Sequence, residues 1–227
     1  YYDYEFERYR DYYSVWGRIT YNPDTPPEVW EQEYVNRFGH KAGKALLDGL
    51  HLASRVLPRI VAASYPYSRF PTTRGWAEMQ RQYDLPEYSN AEGSDIQQFM
   101  NMKEFAEMLL DGSATPKRTP LQTSQWFQTQ SEQILEKVRQ AENSEDALQG
   151  NAFHSTVTDL KILANLSLYH SHRLMAGVYY QLYEQANDLH ALDLAIKREQ
   201  QARNAWSHIV EAAGDVYNKQ LIFGVKE

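Results

Sequence analysis

The sequence has 227 residues, of which 42% are hydrophobic and 13% aromatic, enough for a substantial core, so a chain disordered throughout is excluded. Its 23 basic and 30 acidic residues give a formal net charge of −7, so we expect neither nucleic acid nor a membrane surface as a partner. Cysteine is absent, which excludes disulfides, thiolate metal sites and cysteine nucleophiles.

The ends of the sequence carry no targeting signal. It begins at Tyr1 without an initiator methionine or signal peptide, and it has no apolar run long enough to span a bilayer. We therefore interpret the chain as part of a longer protein, and we expect its exposed surfaces to meet the rest of that protein.

An aromatic-rich helix is predicted over residues 2 to 16. Phe6, Tyr9, Tyr13 and Trp16 follow one another at spacings of three, four and three residues, which places them on one helical face. We expect this face to pack into the core, with the hydroxyl groups reaching solvent or a backbone partner. The alternative is a platform that stacks on the apolar faces of sugar rings.

A turn and a second helix should follow. Gly17 is predicted to end the first helix in the left-handed conformation, and Asn-Pro-Asp at residues 22 to 24 is a strong turn signal. Thr25, followed by Pro26 and Glu28, has the pattern of an N-cap with a capping box. The second helix is therefore predicted to begin at residue 26.

The stretch from Trp16 to Trp30 also carries a family resemblance. It reads Trp-Gly-Arg, an aliphatic, a polar and an aromatic residue, then Asn-Pro-Asp and a helix that ends in Arg-Phe-Gly at residues 37 to 39. This pattern resembles the start of the C-terminal helical region in glycoside hydrolase family 67, the α-glucuronidases, and in similar barrel-containing glycoside hydrolases of carbohydrate-degrading gut bacteria. The resemblance is dense over residues 9 to 60 and returns weakly over residues 202 to 223.

The resemblance implies an accessory region without catalytic residues of its own. In those families the catalytic carboxylates lie on an upstream (β/α)₈ barrel, which needs roughly 250 residues and has no room in this chain. The implied partner is the catalytic barrel of the same polypeptide, with a polysaccharide or oligosaccharide and a second copy of the chain as further candidates. The implied location is periplasmic or extracellular.

Two further helices are predicted before the pattern changes. The second helix covers residues 26 to 38 and ends at Gly39, and the third covers residues 41 to 63. A kink is expected at Pro58, because proline lacks a backbone donor and clashes with the preceding turn. The apolar positions of the second helix are Val29, Trp30, Tyr34 and Phe38.

An irregular segment is predicted over residues 64 to 94, apart from two helical turns at residues 76 to 83. Long segments of this kind inside a compact domain are usually functional, so we assign substrate binding to Tyr67, Arg69, Arg74 and Trp76. The two aromatic side chains can stack on sugar faces, and the two arginines can pair with a carboxylate such as that of a uronic acid. The alternative is a surface loop whose aromatic residues cover the core.

The remaining sequence predicts more helices. A short one covers residues 95 to 110, capped by Ser94 or Asp95 and ended by Gly112, and a linker follows over residues 113 to 120. Three long helices are predicted from Pro120 to about residue 140, from residue 152 to 186, and after residue 188. Their short connections favour an antiparallel bundle. The apolar positions of the last helix are Leu192, Ile196, Trp206, Ile209, Ala213 and Val216.

The predicted fold class is therefore all-α, a multi-helix array leading into an antiparallel bundle of long helices, with one long irregular segment. The predicted parts are residues 1–112 and 119–227, packed together as one domain of a larger protein.

The sequence gives little support for a cofactor site, a metal site or a glycosidase active site. No glycine-rich phosphate loop is present, so no cofactor is expected. His170 and His172 are two residues apart and point to different sides of a helix, while His154 lies more than four turns from His170, so no metal site is expected. A glycosidase needs two carboxylates roughly 5 to 10 Å apart across a cleft, and the acidic residues here lie chiefly on polar helix faces.

The predicted function is a non-catalytic helical accessory domain of a glycoside hydrolase, which packs on the barrel and shapes its substrate cleft or a dimer interface. One alternative is a carbohydrate-binding module that uses the aromatic residues of the 64–88 loop. Another is a helical protein-interaction scaffold, although the sequence shows no repeat of fixed period.

Overall fold

The structure is a computed structural model that describes residues 5–64 and 84–217. These residues are helical, with one isolated parallel β-bridge between Phe99 and Arg118 and no strand among them. This confirms the predicted all-α class. The helices are α1 (Glu5–Arg8), α2 (Arg10–Tyr21), α3 (Glu28–Phe38), α4 (His40–Ala53), α5 (Val56–Ala63), α6 (Leu85–Tyr88), α7 (Met102–Asp111), α8 (Pro120–Glu142), α9 (Asn151–Ala186) and α10 (Leu189–Ala213).

The chain divides into two compact units whose segments alternate along the sequence. Unit 1 comprises Tyr1–Ala53, Gln133–Ile162 and Ile209–Glu227, and unit 2 comprises Ser54–Glu132 and Leu163–His208. Each of the helices α8, α9 and α10 contributes residues to both units. The predicted division into residues 1–112 and 119–227 stays a prediction.

The connection between α2 and α3 differs from its prediction at both ends. The helix α2 continues through Gly17, because one exposed glycine costs a helix only about 1 kcal/mol, and Asn22 is its C-cap. Asn22 Oδ1 accepts the Asp24 backbone N–H at 3.1 Å, and the Thr25 hydroxyl donates to the Asn22 carbonyl at 2.6 Å. Thr25 is thus engaged in the turn and caps nothing, so α3 begins at Glu28 instead of residue 26.

The end of α3 at Gly39 is confirmed. Gly39 has a φ of 96°, which favours glycine, and its N–H donates to the Val35 carbonyl at 2.9 Å. The next helix is capped from far along the chain, because the Asp146 carboxylate accepts the backbone N–H groups of Lys41 at 2.8 Å and Ala42 at 3.4 Å. A loop more than a hundred residues away therefore fixes the start of α4.

Close packing around α3 builds the core of unit 1. A Cβ at Gly43 of α4 would lie 2.5 Å from the Tyr34 carbonyl oxygen, so only glycine lets α4 approach α3 this closely. Phe38 is fully buried, with its ring 5.5 Å from that of Tyr34 and 6.2 Å from that of Phe153 on α9. The prediction that Tyr34 and Phe38 face the core is confirmed.

The predicted helix over residues 41 to 63 is two helices in the structure. The helix α4 ends at Ala53 and α5 begins at Val56, so the chain is interrupted at residues 54–55. Pro58 has no N–H to donate to the carbonyl of residue 54, and its ring clashes with that carbonyl. The sequence predicted one kinked helix with the kink at Pro58. The structure instead has a break between two helices, about one turn before the proline.

A second core lies in unit 2 and includes residues of α6, α7 and α9. The helix α7 begins at Met102 instead of residue 95, because Asn101 and Glu104 form a capping box there. Its end at Gly112, with a φ of 70°, is confirmed. The buried members of this core are Tyr88, Met100, Met102, Phe105, Leu174, Met175 and Val178.

The long helices match their predictions in extent and direction. Within unit 2 the Ser124 hydroxyl donates to the Ser171 carbonyl at 2.9 Å, and the Ser167 hydroxyl donates to the Phe127 carbonyl at 2.7 Å. Residue numbers rise along α8 as they fall along α9, which is the antiparallel order. Asn187, with a φ of 53°, makes the turn into α10.

The buried face of α10 is not the predicted one. Ile196 and Trp206 are exposed, whereas alanines face the core. Two of these alanines pack against Tyr169 of α9, and small side chains let two helices approach closely. The prediction for Ile196 and Trp206 is therefore wrong. The buried residues of α10 are Ala191, Ala195, Ala202 and Ala205.

Candidate functional site

The helix α2 is the unusual element of unit 1, because none of its residues is buried. The predicted core face of this region is solvent-exposed, including Phe6, Tyr9, Tyr13 and Trp16, so their assignment to the core is wrong. The sequence carried no signal for this exposure, because an apolar stripe on a helix is compatible both with a core and with a free surface.

The outer side of α2 carries a seam of apolar residues. Tyr9, Tyr12, Trp16 and Ile19 are spaced three, four and three residues apart and are 43%, 64%, 62% and 45% exposed. This is the spacing with which a helix contacts a partner along one stripe. We call these four residues the α2 seam. Singly exposed apolar residues are ordinary, whereas four in one stripe form a candidate interaction surface.

The inner side of α2 is polar and is joined to α3 by side chains. Arg10 Nε donates to Glu33 Oε1 at 3.0 Å, and the Ser14 hydroxyl donates to Glu33 Oε2 at 2.9 Å. The Asp11 carboxylate accepts the Tyr34 hydroxyl at 2.6 Å and Arg37 Nη1 at 3.3 Å. Two carboxylates and two arginines thus hold α2 in place while its seam faces outward.

An open groove of about 1010 Å³ lies between these helices. Its walls come from α1 and α2 on one side and from α3 on the other. We call it the α2–α3 groove. The first wall includes Phe6, Arg10, Tyr13, Ser14 and Arg18. The second wall includes Glu28, Val29, Gln32, Glu33, Asn36 and Arg37.

The Glu33 carboxylate in this groove is kept ionised. Partial burial raises its pKa, but hydrogen bonds from Arg10 and Ser14 and the charges of Arg10 and Arg37 outweigh that effect, so the pKa lies below its ordinary value. A general acid in glycoside hydrolysis needs the opposite, a carboxyl group whose pKa is raised. The arrangement suits binding better than acid catalysis.

Two of the three histidines that the sequence singled out, His170 and His172, lie in unit 2, and His154 lies in unit 1. His170 is buried, with its Nδ1 3.5 Å from the Tyr88 hydroxyl, and burial together with the charge of Arg173 lowers its pKa to about 3. His172 is half-buried and faces Arg198, 3.4 Å away. His170 is therefore a neutral core residue at physiological pH.

The remaining predictions concern a metal site, a membrane-spanning helix and the substrate-binding residues. Within residues 5–64 and 84–217, no group of three or more histidine, aspartate or glutamate side chains is arranged to hold a metal ion. None of the helices there combines the length and hydropathy needed to cross a membrane. The predicted substrate-binding residues Tyr67, Arg69, Arg74 and Trp76 lie outside the described residues, as do the helical turns predicted at residues 76 to 83. Their role stays a prediction.

Comparison with known proteins finds similarity in structure. No protein-family model matches the sequence, and no curated protein matches it either. The fold is similar to part of a solved structure described as a GH138 enzyme targeting pectin rhamnogalacturonan II. The TM-score is 0.70 at 11% sequence identity, and the match covers 89% of this chain but only 30% of that enzyme.

This similarity supports a glycoside hydrolase-like fold, and it does not support family 67 specifically. The enzyme belongs to a different glycoside hydrolase family from the α-glucuronidases that the Trp16 to Trp30 stretch resembles. At this level of identity only the fold is shared. The chain is thus an all-α domain with the fold of a segment found in a glycoside hydrolase.

Proposed function

We propose that this chain is a non-catalytic helical domain of a glycoside hydrolase and that its α2 seam packs on the catalytic part of the same polypeptide. The fold similarity supports the proposal, because the matched region makes up 30% of a glycoside hydrolase chain. The remaining length of such an enzyme leaves room for a catalytic barrel, which takes roughly 250 residues.

The single observation that carries the proposal is the exposed α2 seam. Full burial of a large apolar side chain is worth roughly 1.5 to 3 kcal/mol, so covering four half-exposed ones would contribute on the order of 3 to 6 kcal/mol before ordering costs. The partner we assign is the catalytic domain, since covalent linkage makes that contact intramolecular and raises its effective concentration.

The carboxylates beside the seam favour an accessory role for this chain. Glu33 and Asp11 both accept hydrogen bonds from arginine, and among the described residues that line the groove no carboxylate stands on the wall opposite Glu33. Acid and base roles in glycoside hydrolysis fall to two carboxyl groups with different environments. We therefore assign catalysis to the partner domain.

The proposal is tested by comparing this chain with a polypeptide extended N-terminally by the length of a barrel. Both are assayed on pectin-derived oligosaccharides, which the neighbour's description suggests, and on aryl α-glucuronides, which the family 67 resemblance suggests. We expect activity only in the extended form. Activity in this chain alone would overturn the proposal.

A seam variant tests the docking surface in the same two proteins. Tyr12→Glu with Trp16→Glu places charge on the seam, and Tyr21→Glu is the matched control, because Tyr21 is exposed and lies off the seam. In the extended form we expect the seam variant to lower the melting temperature by several degrees, while the control leaves it unchanged. No shift, or a seam-dependent dimer of this chain in sedimentation velocity, would contradict docking on the catalytic domain.

A further inference from the structure

The α2–α3 groove is a large feature of unit 1 that the proposed docking does not use. None of the four α2 seam residues lines the groove, which lies where α2 meets α3. Its volume of about 1010 Å³ is at the upper end of the range of small-ligand sites, and its lining combines aromatic, cationic and amide side chains with two carboxylates.

Among the described residues, no carboxylate pairs with the Arg18 guanidinium in the groove. The guanidinium groups of Arg10 and Arg37 are paired with Glu33 and Asp11. Arg18 also lines the groove and is exposed, and within the part of the chain that the structure describes no carboxylate forms an ion pair with it. A planar guanidinium of this kind can take the carboxylate of a ligand through two parallel hydrogen bonds.

Aromatic side chains stand beside this cation. Phe6 and Tyr13 line the same wall as Arg18 and are 61% and 58% exposed. Phe6 has a further partner of its own, so the accessible ring is that of Tyr13, and the C–H faces of pyranose rings pack on such surfaces. Linear anions without rings, such as acidic peptides, would leave this face uncovered.

The opposite wall supplies amide groups for hydroxyl recognition. Gln32 Nε2 donates to Asn36 Oδ1 at 2.9 Å, and both amides are exposed. The bond leaves the Gln32 carbonyl oxygen and the Asn36 amide nitrogen available to a ligand, one as an acceptor and one as a donor. Such paired amides suit sugar hydroxyls, which both donate and accept.

We propose that the α2–α3 groove binds an oligosaccharide that carries uronic acid carboxylates. Arg18 holds a carboxylate, Tyr13 packs on a sugar ring, and Gln32 with Asn36 bonds hydroxyl groups. Glu28 and the ionised Glu33 line the same groove, so Arg18 holds one carboxylate of the ligand and the ligand's other carboxylates face solvent. The chain's net charge of −7 likewise removes any general attraction for polyanions, so the selectivity comes from local contacts. The inference does not depend on the accessory role, because binding is a property of this chain alone.

Calorimetry with matched ligands tests the inference on the intact chain. The probes are an oligogalacturonide, its fully methyl-esterified form, which keeps the rings but loses the charges, and a poly-glutamate peptide of equal charge. We expect the oligogalacturonide to bind with a Kd of about 1 mM or below, the methyl ester to bind about tenfold more weakly, and the peptide not to bind.

Two groove variants separate the charge contact from the stacking contact. Arg18→Gln should weaken the acidic ligand about tenfold and leave the methyl ester unchanged, whereas Tyr13→Ala should weaken both ligands. Arg203→Gln on α10 is the matched control, since Arg203 is exposed and does not line the groove. It removes the same charge and should change neither affinity.

Several outcomes would overturn the inference. Equal affinities for the oligogalacturonide and its methyl ester would contradict carboxylate binding by Arg18. Equal affinities for the oligogalacturonide and the poly-glutamate peptide would contradict packing of a sugar ring on Tyr13. Failure of every saccharide to bind at millimolar concentration would overturn the site itself. These binding measurements involve no catalytic domain. A negative result would therefore not contradict the proposed accessory role, and a negative result for the accessory role would not contradict ligand binding in the groove.

Discussion

Two neighbouring helices of similar length are anchored in different ways. The helix α2 has 12 residues and α3 has 11, and both carry aromatic side chains at helical spacing. The helix α3 buries Tyr34 and Phe38 against α4 and α9, whereas α2 buries no residue. An amphipathic pattern therefore shows which side of a helix is apolar, and it does not show whether the chain itself covers that side.

The difference is also one of energy. The contacts that hold α2 are ion pairs and hydrogen bonds through Glu33 and Asp11, and exposed pairs of this kind contribute about 0.2 to 1 kcal/mol each. A buried phenylalanine contributes several times more, as large-to-small substitutions in cores show. The helix α2 is therefore the weaker attachment, with an apolar seam available to a partner.

The sharpest test of the comparison removes one aromatic side chain from each helix. Phe38→Ala should lower the free energy of unfolding by about 3 to 5 kcal/mol, because it opens a cavity beside Tyr34 and Phe153. Tyr12→Ala, the matched change on the α2 seam, should lower it by about 0.5 kcal/mol or less. Urea denaturation measures both. Equal losses would mean that α2 is packed into the core.

Two glycine substitutions should have opposite signs. Gly43→Ala brings a Cβ to 2.5 Å from the Tyr34 carbonyl oxygen and should cost about 1 to 3 kcal/mol as α3 and α4 separate. Gly17→Ala meets no atom within 4 Å in the middle of α2 and should stabilise the chain by about 0.5 to 1 kcal/mol. Thermal and urea unfolding measure both. Destabilisation by Gly17→Ala would restore the sequence prediction that Gly17 ends its helix in the left-handed conformation.

Protonation of Asp146 at low pH should weaken the cap that its carboxylate provides at the start of α4. Hydrogen bonds from the Ser144 hydroxyl and from the backbone N–H groups of Lys41 and Ala42 lower the pKa of Asp146 to about 2 from its ordinary value of 3.8. The unfolded chain then binds a proton at higher pH than the folded chain, so stability falls between about pH 4 and pH 2.

The variant Asp146→Asn should remove this part of the pH dependence, because it has no charge to lose. Urea denaturation at several pH values measures the slope for the variant and for wild type. Asp24→Asn, in the exposed turn after α2, is the control and should keep the wild-type slope. An unchanged slope in Asp146→Asn would assign the acid sensitivity to other carboxylates.

The smallest effect on global stability concerns the attachment of α2. Glu33→Gln weakens the contacts to Arg10 and Ser14 and should cost about 1 kcal/mol or less overall. Amide hydrogen exchange should nevertheless become faster within α2 and stay unchanged in α4. Asp48→Asn, which breaks the exposed pair with Lys137, is the control and should leave α2 unaffected. Unchanged exchange in α2 would show that something other than Glu33 holds this helix.

Much of the helical framework could be predicted from local sequence. The helices α8, α9 and α10, and the helix ends at Gly39 and Gly112, follow from apolar periodicity and from glycine at positive φ. These features depend on residues within a few positions of one another, because a helical hydrogen bond spans four residues. The start of α7 was missed, since the capping box of Asn101 and Glu104 competed with an equally plausible signal at Asp95.

The candidate sites were harder to predict from the sequence than the helices. The groove joins Arg18 to Gln32 and Asn36 across a turn whose geometry depends on the Asn22 and Thr25 hydrogen bonds. The four residues assigned to substrate binding in the irregular segment, Tyr67, Arg69, Arg74 and Trp76, lie outside the described residues and stay a prediction.

Which side of each helix is covered depended on contacts between distant parts of the chain. In α10 the alanines face the core while Ile196 and Trp206 are exposed, because helix approach selects small side chains. Asp146 caps α4 across more than a hundred residues. The aromatic face of α2 remains exposed because no described segment of the chain packs over it. Backbone hydrogen bonds within a helix are local and can be predicted from neighbouring residues, whereas burial and caps from distant segments depend on which surfaces the folded chain brings together.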